Sequence, residues 1–188
     1  MRLFIALKLT ESVSVALNGL QKELQPFMEK TNLNVRWTRP DQWHMTLRFL
    51  GDQPPQRESA LKAALNQIAA RSRPAELEWG HYGFFPGRGA VFWLGFAKGQ
   101  EELHPLAEAL NQSLAPLGIS LETRPFTPHI TLARLKDAPR SLAFRHEVES
   151  LPPPTLPPLR VEGLELIQST LRPEGAHYIT RHYVPLAR

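Results

Sequence analysis

The sequence predicts an α+β fold: two similar lobes of antiparallel sheet plus helices, related by approximate two-fold symmetry with a cleft between them. Three observations predict it. Residues 38–47 (Thr-Arg-Pro-Asp-Gln-Trp-His-Met-Thr-Leu) align without a gap on residues 123–132 (Thr-Arg-Pro-Phe-Thr-Pro-His-Ile-Thr-Leu). Each copy closes the same succession of apolar strand, long helix, Thr-Arg-Pro turn and histidine strand. Strands and helices mix without a strict βαβ rhythm, which argues against a parallel sheet. Copies related by a two-fold would bring the two histidine strands together across the cleft.

Taken in order, residues 1–9 read as a buried strand, and 11–28 as an amphipathic helix capped by Thr10 or Ser12. Trp43 to Leu50 alternates toward Gly51 and reads as a strand. Residues 56–71 place Leu61, Ala64, Leu65 and Ile68 at helical spacing before Pro74. Leu77–Phe85 and Ala90–Ala97 flank Pro-Gly-Arg-Gly and form a hairpin. A second long helix spans about 101–117 and is closed by Gly118. The second histidine strand covers 129–135. Residues 152–158 (Pro-Pro-Pro-Thr-Leu-Pro-Pro) suit neither ladder nor helix and read as an extended crossing. A hairpin of Val161–Thr170 and Ala176–Pro185 ends the series.

The 188 residues suit a single bilobal domain, 1–188, with an internal duplication at 44–47 and 129–132. A hydrophobic share of 42% and a charged share of 21% are ordinary for a globular chain. With no cysteine, disulfides, thiolate metal sites and cysteine nucleophiles are excluded, as suits a reducing cytoplasm. The apolar opening is broken by Lys8 and Glu11, too early for a secretory core or membrane span. The net charge of +4 leans toward an anionic partner.

In a strand, residues i and i+2 share a face, so His44 pairs with Thr46 and His129 with Thr131. Two such pairs around one cleft offer two imidazoles and two hydroxyls. With an ordinary pKa near 6.5, one imidazole can be neutral while the other is protonated. That suits a general base and a general acid on opposite sides of an in-line displacement, each worth about 10² to 10⁴-fold. The threonines can donate to phosphate oxygens as charge develops. His-x-Thr is not a metal-ligand spacing, so this reading calls for no metal and no cofactor. One His-x-Thr is a weak signal; two with matched flanks are a strong one. The flanks by themselves are explained as scaffold.

His44-Met-Thr-Leu-Arg-Phe-Leu-Gly51 and Pro128-His-Ile-Thr-Leu-Ala-Arg134 resemble the paired motifs of the two-histidine phosphoesterase superfamily. More narrowly, the chain is similar to its RNA 2′,3′-cyclic phosphodiesterases, once described as 2′-5′ RNA ligases. The opening Arg-Leu-Phe-Ile-Ala and the closing hairpin extend the resemblance over nearly the whole chain. It implies metal-independent hydrolysis of a 2′,3′-cyclic phosphate to a 2′-phosphomonoester, with weak 2′-5′ ligation in reverse. His44 would be the proton donor to the departing 3′ oxygen and His129 the proton acceptor that activates water. Thr46 and Thr131 would hold the phosphate. The implied partner is RNA ending in 2′,3′-cyclic phosphate, tRNA fragments included, for a cytoplasmic monomer with no membrane role.

The remaining candidates are less determined by pattern. Alternation puts Arg48 on the face of His44 and Thr46 and turns Arg134 away, although the family pattern favours Arg134 as a phosphate ligand and a bulge could re-aim it. Arg39 and Arg124 sit at matched turn positions, suited to backbone carbonyls or to a basic rim. Phe49, Phe84, Phe85 and Phe126 are candidate stacking surfaces, although strand aromatics are more often core. Of the unrepeated histidines, His177 and His182 on the closing hairpin are nearest the cleft if that strand borders it. Competing readings are a phosphodiesterase for small cyclic nucleotides or ADP-ribose cyclic phosphate, and a non-catalytic RNA- or nucleotide-binding module.

Overall fold

The computed structural model describes residues 1–30, 33–86, 89–136, 142–173 and 175–187. Two antiparallel sheets carry the molecule. The first has strand order β3-β1-β8-β9, built from β1 (Arg2–Lys8), β3 (His44–Asp52), β8 (Gly163–Arg172) and β9 (Gly175–Pro185). The second runs β2-β6-β5-β4-β7, from β2 (Val35–Trp37), β4 (Ala75–Pro86), β5 (Ala90–Lys98), β6 (Ile130–Leu135) and β7 (Leu159–Val161). The helices are α1 (Glu11–Glu29), α2 (Glu58–Ala69), α3 (Leu103–Leu114) and α4 (Leu142–Glu149). Among the described residues, no helix is long and apolar enough to cross a membrane.

The two halves of the chain pair their strands alike. β1 pairs with β3 in the first half as β5 pairs with β6 in the second. Each half's long helix crosses to the other half. Gln21 on α1 donates to the Leu132 carbonyl of β6 at 3.0 Å, while α3, which follows β5, packs on β3. The two sheets and their helices thereby share one apolar core, in which Leu17, Leu61, Leu94, Leu110 and Leu166 are all fully buried. α3 shows how the sequence directs this: Leu103, Leu106, Leu110 and Leu114 form one apolar stripe.

Local signals set the boundaries. The Thr10 hydroxyl caps α1 by accepting from Val13 N at 3.4 Å. After α3 a short 3-10 turn, Ala115–Leu117, ends at Gly118 with φ +76°, a conformation glycine adopts without steric cost. Residues 152–158 carry neither helix nor strand and are held where the Trp79 indole donates to the Pro157 carbonyl at 2.7 Å. The central residues of the Pro-Gly-Arg-Gly turn, 87 and 88, lie outside the described residues. Three elements have no counterpart in the sequence reading: β2, β7 and α4. Two are three-residue strands, too short to show a period, and α4 carries Arg145, His146, Glu147 and Glu149 around a buried Val148.

Candidate active site

β3 lies against β6, so the two histidine motifs meet at the junction of the sheets. His44 opens β3 and His129 immediately precedes β6. Their rings are oriented by one repeated contact. His44 Nδ1 lies 2.7 Å from the Gln42 carbonyl, and His129 Nδ1 lies 2.8 Å from the Thr127 carbonyl. A carbonyl only accepts, so each Nδ1 carries the proton and each Nε2 keeps its lone pair for the cleft. Gln42 and Thr127 occupy the same place in the two copies.

A repeated irregularity follows each histidine. On β3, Ala6 is registered with Thr46 and Ile5 with Arg48, leaving Leu47 as an extra residue. On β6, Trp93 is registered with Thr131 and Phe92 with Ala133, leaving Leu132 as the extra residue. These are β-bulges at the same position of each copy, and a bulge exchanges the faces of the residues beyond it. Ile5 and Ala6 are neighbours and point to opposite faces, so Arg48 and Thr46 do also. Val91, registered with Arg134, shares the face of Trp93 and Thr131.

The alternation-based expectation for the arginines is therefore corrected. Arg48, 7% exposed, turns to the helix side, where it donates to the Ser120 carbonyl and lies 3.7 Å from Glu122. It ties the first histidine strand to the loop that leads into His129. Arg134 faces the cleft, exposed, beside Arg36 of β2, and makes no ion pair among the described residues. Aligned through the bulges, the partner of Arg48 is Ala133, and the partner of Arg134 is Phe49.

The histidines sit in aromatic surroundings. The His44 ring is 5.0 Å from Phe4 and 5.1 Å from Tyr178, edge-on to the latter at 89°. The His129 ring is 4.7 Å from Phe85, edge-on at 81°, and 6.2 Å from Trp93. Burial against these rings pushes His44 down to about 4, with His129 and Arg134 adding repulsion. His129 is lowered too, first by burial and then by Arg134. Both imidazoles are neutral at neutral pH. The Thr46 and Thr131 hydroxyls have no hydrogen-bond partner among the described residues, while Thr38 Oγ1 donates 2.7 Å to the Thr131 carbonyl and braces that strand.

Phe49 lies on the cleft face, 62% exposed, with its ring 6.0 Å from Phe4. Phe126 is half-buried against the core with its ring 6.1 Å from His104, and neither its ring nor the buried Phe84 meets a motif histidine. Arg39 bonds Asp41 and the Ala176 carbonyl, and Arg124 forks onto Glu122. His182 turns away to Asn66 of α2. From the closing hairpin it is Tyr178, not His177, whose ring meets His44. Pattern alone could not find it, because the face of β9 depends on its register with β8. Among the described residues no three His, Asp or Glu side chains converge as a metal's ligand set.

A family model described as the 2′-5′ RNA ligase superfamily matches residues 8–172. A Geobacillus stearothermophilus protein named RNA 2′,3′-cyclic phosphodiesterase is 36% identical over 70% of this chain, a match that spans 41% of that relative's length. A Thermus thermophilus protein of the same name is 32% identical over 95% of this chain and 86% of its own. The crystal structure of Escherichia coli LigT in its apo form superposes with a TM-score of 0.80 at 26% identity, covering 100% of this chain and 98% of that one.

Proposed function

Because the chain belongs to the 2′-5′ RNA ligase superfamily, we propose that it is a phosphodiesterase that opens the 2′,3′-cyclic phosphate at an RNA end to a 2′-phosphomonoester. The single observation that carries this reading is the pair of Nδ1-anchored imidazoles, each leaving Nε2 for one cleft beside a threonine hydroxyl that has no hydrogen-bond partner among the described residues.

The chain's own groups suffice for the reaction. His129 Nε2 accepts a proton from water as the water oxygen attacks phosphorus. The bond from phosphorus to the 3′ oxygen breaks, and His44 Nε2 delivers a proton to that oxygen, leaving a 2′-phosphate and a 3′-hydroxyl. Thr46, Thr131 and Arg134 hold the non-bridging oxygens, where charge accumulates. His44 must first gain its proton. The bound phosphodiester supplies the means, because a nearby anion favours imidazolium and offsets Arg134. Exposed Phe49 offers a stacking surface for a base. With the 5′-hydroxyl of another RNA end in place of water, the same groups break the same bond to the 3′ oxygen and leave a 2′-5′ phosphodiester, a weak ligation.

Incubation of an oligoribonucleotide ending in 2′,3′-cyclic phosphate, beside a cyclic mononucleotide, tests the reading. Faster turnover of the oligonucleotide supports RNA as substrate. Faster turnover of the mononucleotide moves the function to small cyclic nucleotides, and binding without turnover leaves a recognition module.

A further inference from the structure

The face of the first sheet that carries His44 and Thr46 continues beyond them. Registered partners in antiparallel strands project from the same face. One such row runs Thr46, Ala6, Glu165, Tyr183 across β3, β1, β8 and β9. With adjacent strands about 4.8 Å apart, Glu165 stands roughly 10 Å across the sheet from Thr46. Phe4, Ile167 and Tyr178 pack along one side of this row. On its other side is Lys8, the registered partner of His44. Lys8, Gly163, Glu165 and Tyr183 line a cavity of about 160 Å³, which Thr10 and Arg160 help close.

Glu165 is a buried polar group that the rest of the fold does not account for. It is 6% exposed, enters no ion pair among the described residues, and has one hydrogen bond, from the Thr180 hydroxyl to Oε2 at 3.2 Å. A carboxylate has about four lone-pair sites and nothing to donate. Its Oε1 has no donor among the described residues and is not fully enclosed, so its lone pairs stay open to water or to a ligand. The second sheet differs at the equivalent place. Thr131 is registered with Trp93 instead of an alanine, and a Cβ on Gly83 would lie 2.3 Å from the Trp93 ring, so indole fills that row. Among the described residues, only the His44 half keeps space and an acceptor in line with the motif.

We propose that the cavity beside Glu165, whose carboxylate is held from the other side by the Thr180 hydroxyl, is a base-recognition subsite, taking a single-ring base with an amino donor, cytosine, on the nucleotide that carries the cyclic phosphate. The inference rests on the phosphodiesterase reading of the cleft. A cavity of about 150 Å³ holds one six-membered ring, which sets the size limit. Glutamate accepts from the N4 amino group of cytosine. Uracil presents the O4 acceptor at that position, and it would face the carboxylate's lone pairs.

The test compares cytidine and uridine 2′,3′-cyclic phosphates as substrates, with cytidine and uridine 2′-monophosphates bound in parallel and read by tryptophan fluorescence. The wild-type chain should favour cytidine by roughly tenfold in kcat/KM and in Kd. Glu165→Gln, whose amide can donate to O4, should bring the ratio to about one or below, and Thr180→Val should shrink it. Because each ratio is taken within one preparation, partial loss of folded protein cancels. A wild-type ratio near one, or a ratio unchanged by Glu165→Gln, overturns the subsite. Hydrolysis without discrimination removes the subsite and spares the phosphodiesterase reading. Discrimination in binding without hydrolysis does the reverse, and absence of both binding and turnover removes both.

Discussion

Phe49 and Arg134 occupy the same position of the two histidine strands, each two residues past a β-bulge and each on the cleft face. The cleft is symmetric in its histidines, threonines and bulges, and asymmetric here. One side presents an exposed ring, the other an exposed guanidinium with no ion pair among the described residues.

Removing the guanidinium should weaken phosphate binding whatever base is attached. Arg134→Met is expected to lower kcat/KM by about 10²-fold on both cyclic mononucleotides and oligonucleotides, the scale of one lost charge-assisted contact in a transition state. Phe49→Ala should raise KM by about tenfold, the scale of one lost base stack. Steady-state kinetics on both substrates checks this, and an Arg134→Met chain with wild-type kcat/KM would remove that residue from the site.

Arg48, by contrast, works inside the scaffold. Arg48→Met leaves the Ser120 carbonyl and Glu122 without their buried partner, and should cost about 2 kcal/mol, below the cost of breaking a fully buried pair because Glu122 is half-exposed. Urea unfolding should show this, while KM stays within about twofold. A large rise in KM with unchanged stability would return Arg48 to the substrate.

The lowered histidines set the sign of the pH dependence. The proposed reaction needs one protonated and one neutral imidazole, and in the free protein the protonated one is lost at a pH below the ordinary value of 6.5. The maximum of kcat/KM, which reports the free protein, should lie on the acid side of 6.5. In kcat, with phosphate bound, the basic limb should move to higher pH. A kcat/KM that still rises above pH 7 would contradict this.

The same burial links stability to pH. His44 has a folded pKa near 4 against about 6.5 unfolded, so the unfolded chain takes up more protons between those values. The contribution is fully present above 6.5 and declines as pH falls toward 4, by on the order of 3 kcal/mol. Urea midpoints at pH 7 and pH 4 should therefore converge in His44→Gln relative to wild type. Parallel shifts in the two proteins would show that His44 is not the group responsible.

The histidines, threonines and most of the long elements could be read from the sequence because they are set by local pattern: period in α1, α2 and α3, and exact repetition in the motifs. The short strands β2 and β7 could not, since three residues become a strand only when a partner such as β6 or β4 is present. Alternation misplaces both arginines for a related reason, whereas the resemblance favours Arg134 as a phosphate ligand. Alternation from His44 to Arg48 is a rule for regular strands, and the extra residue at Leu47 is visible only in its register with β1. The signal was nonetheless in the alignment, which sets Arg134 against Phe49 and Arg48 against Ala133. Tyr178 and Glu165 reach their places through β8 and β9, whose register no local pattern supplies.

His44 and His129 are proposed to act as an acid–base pair on a cyclic phosphate. The most direct test of this is product analysis on an RNA ending in 2′,3′-cyclic phosphate, with the wild-type, His44→Ala and His129→Ala chains run in parallel. The wild type should yield a 2′-phosphate product, and each variant should lose at least about 10²-fold in turnover. Turnover that survives removal of either histidine, or a wild-type chain that leaves the cyclic phosphate intact, would contradict it.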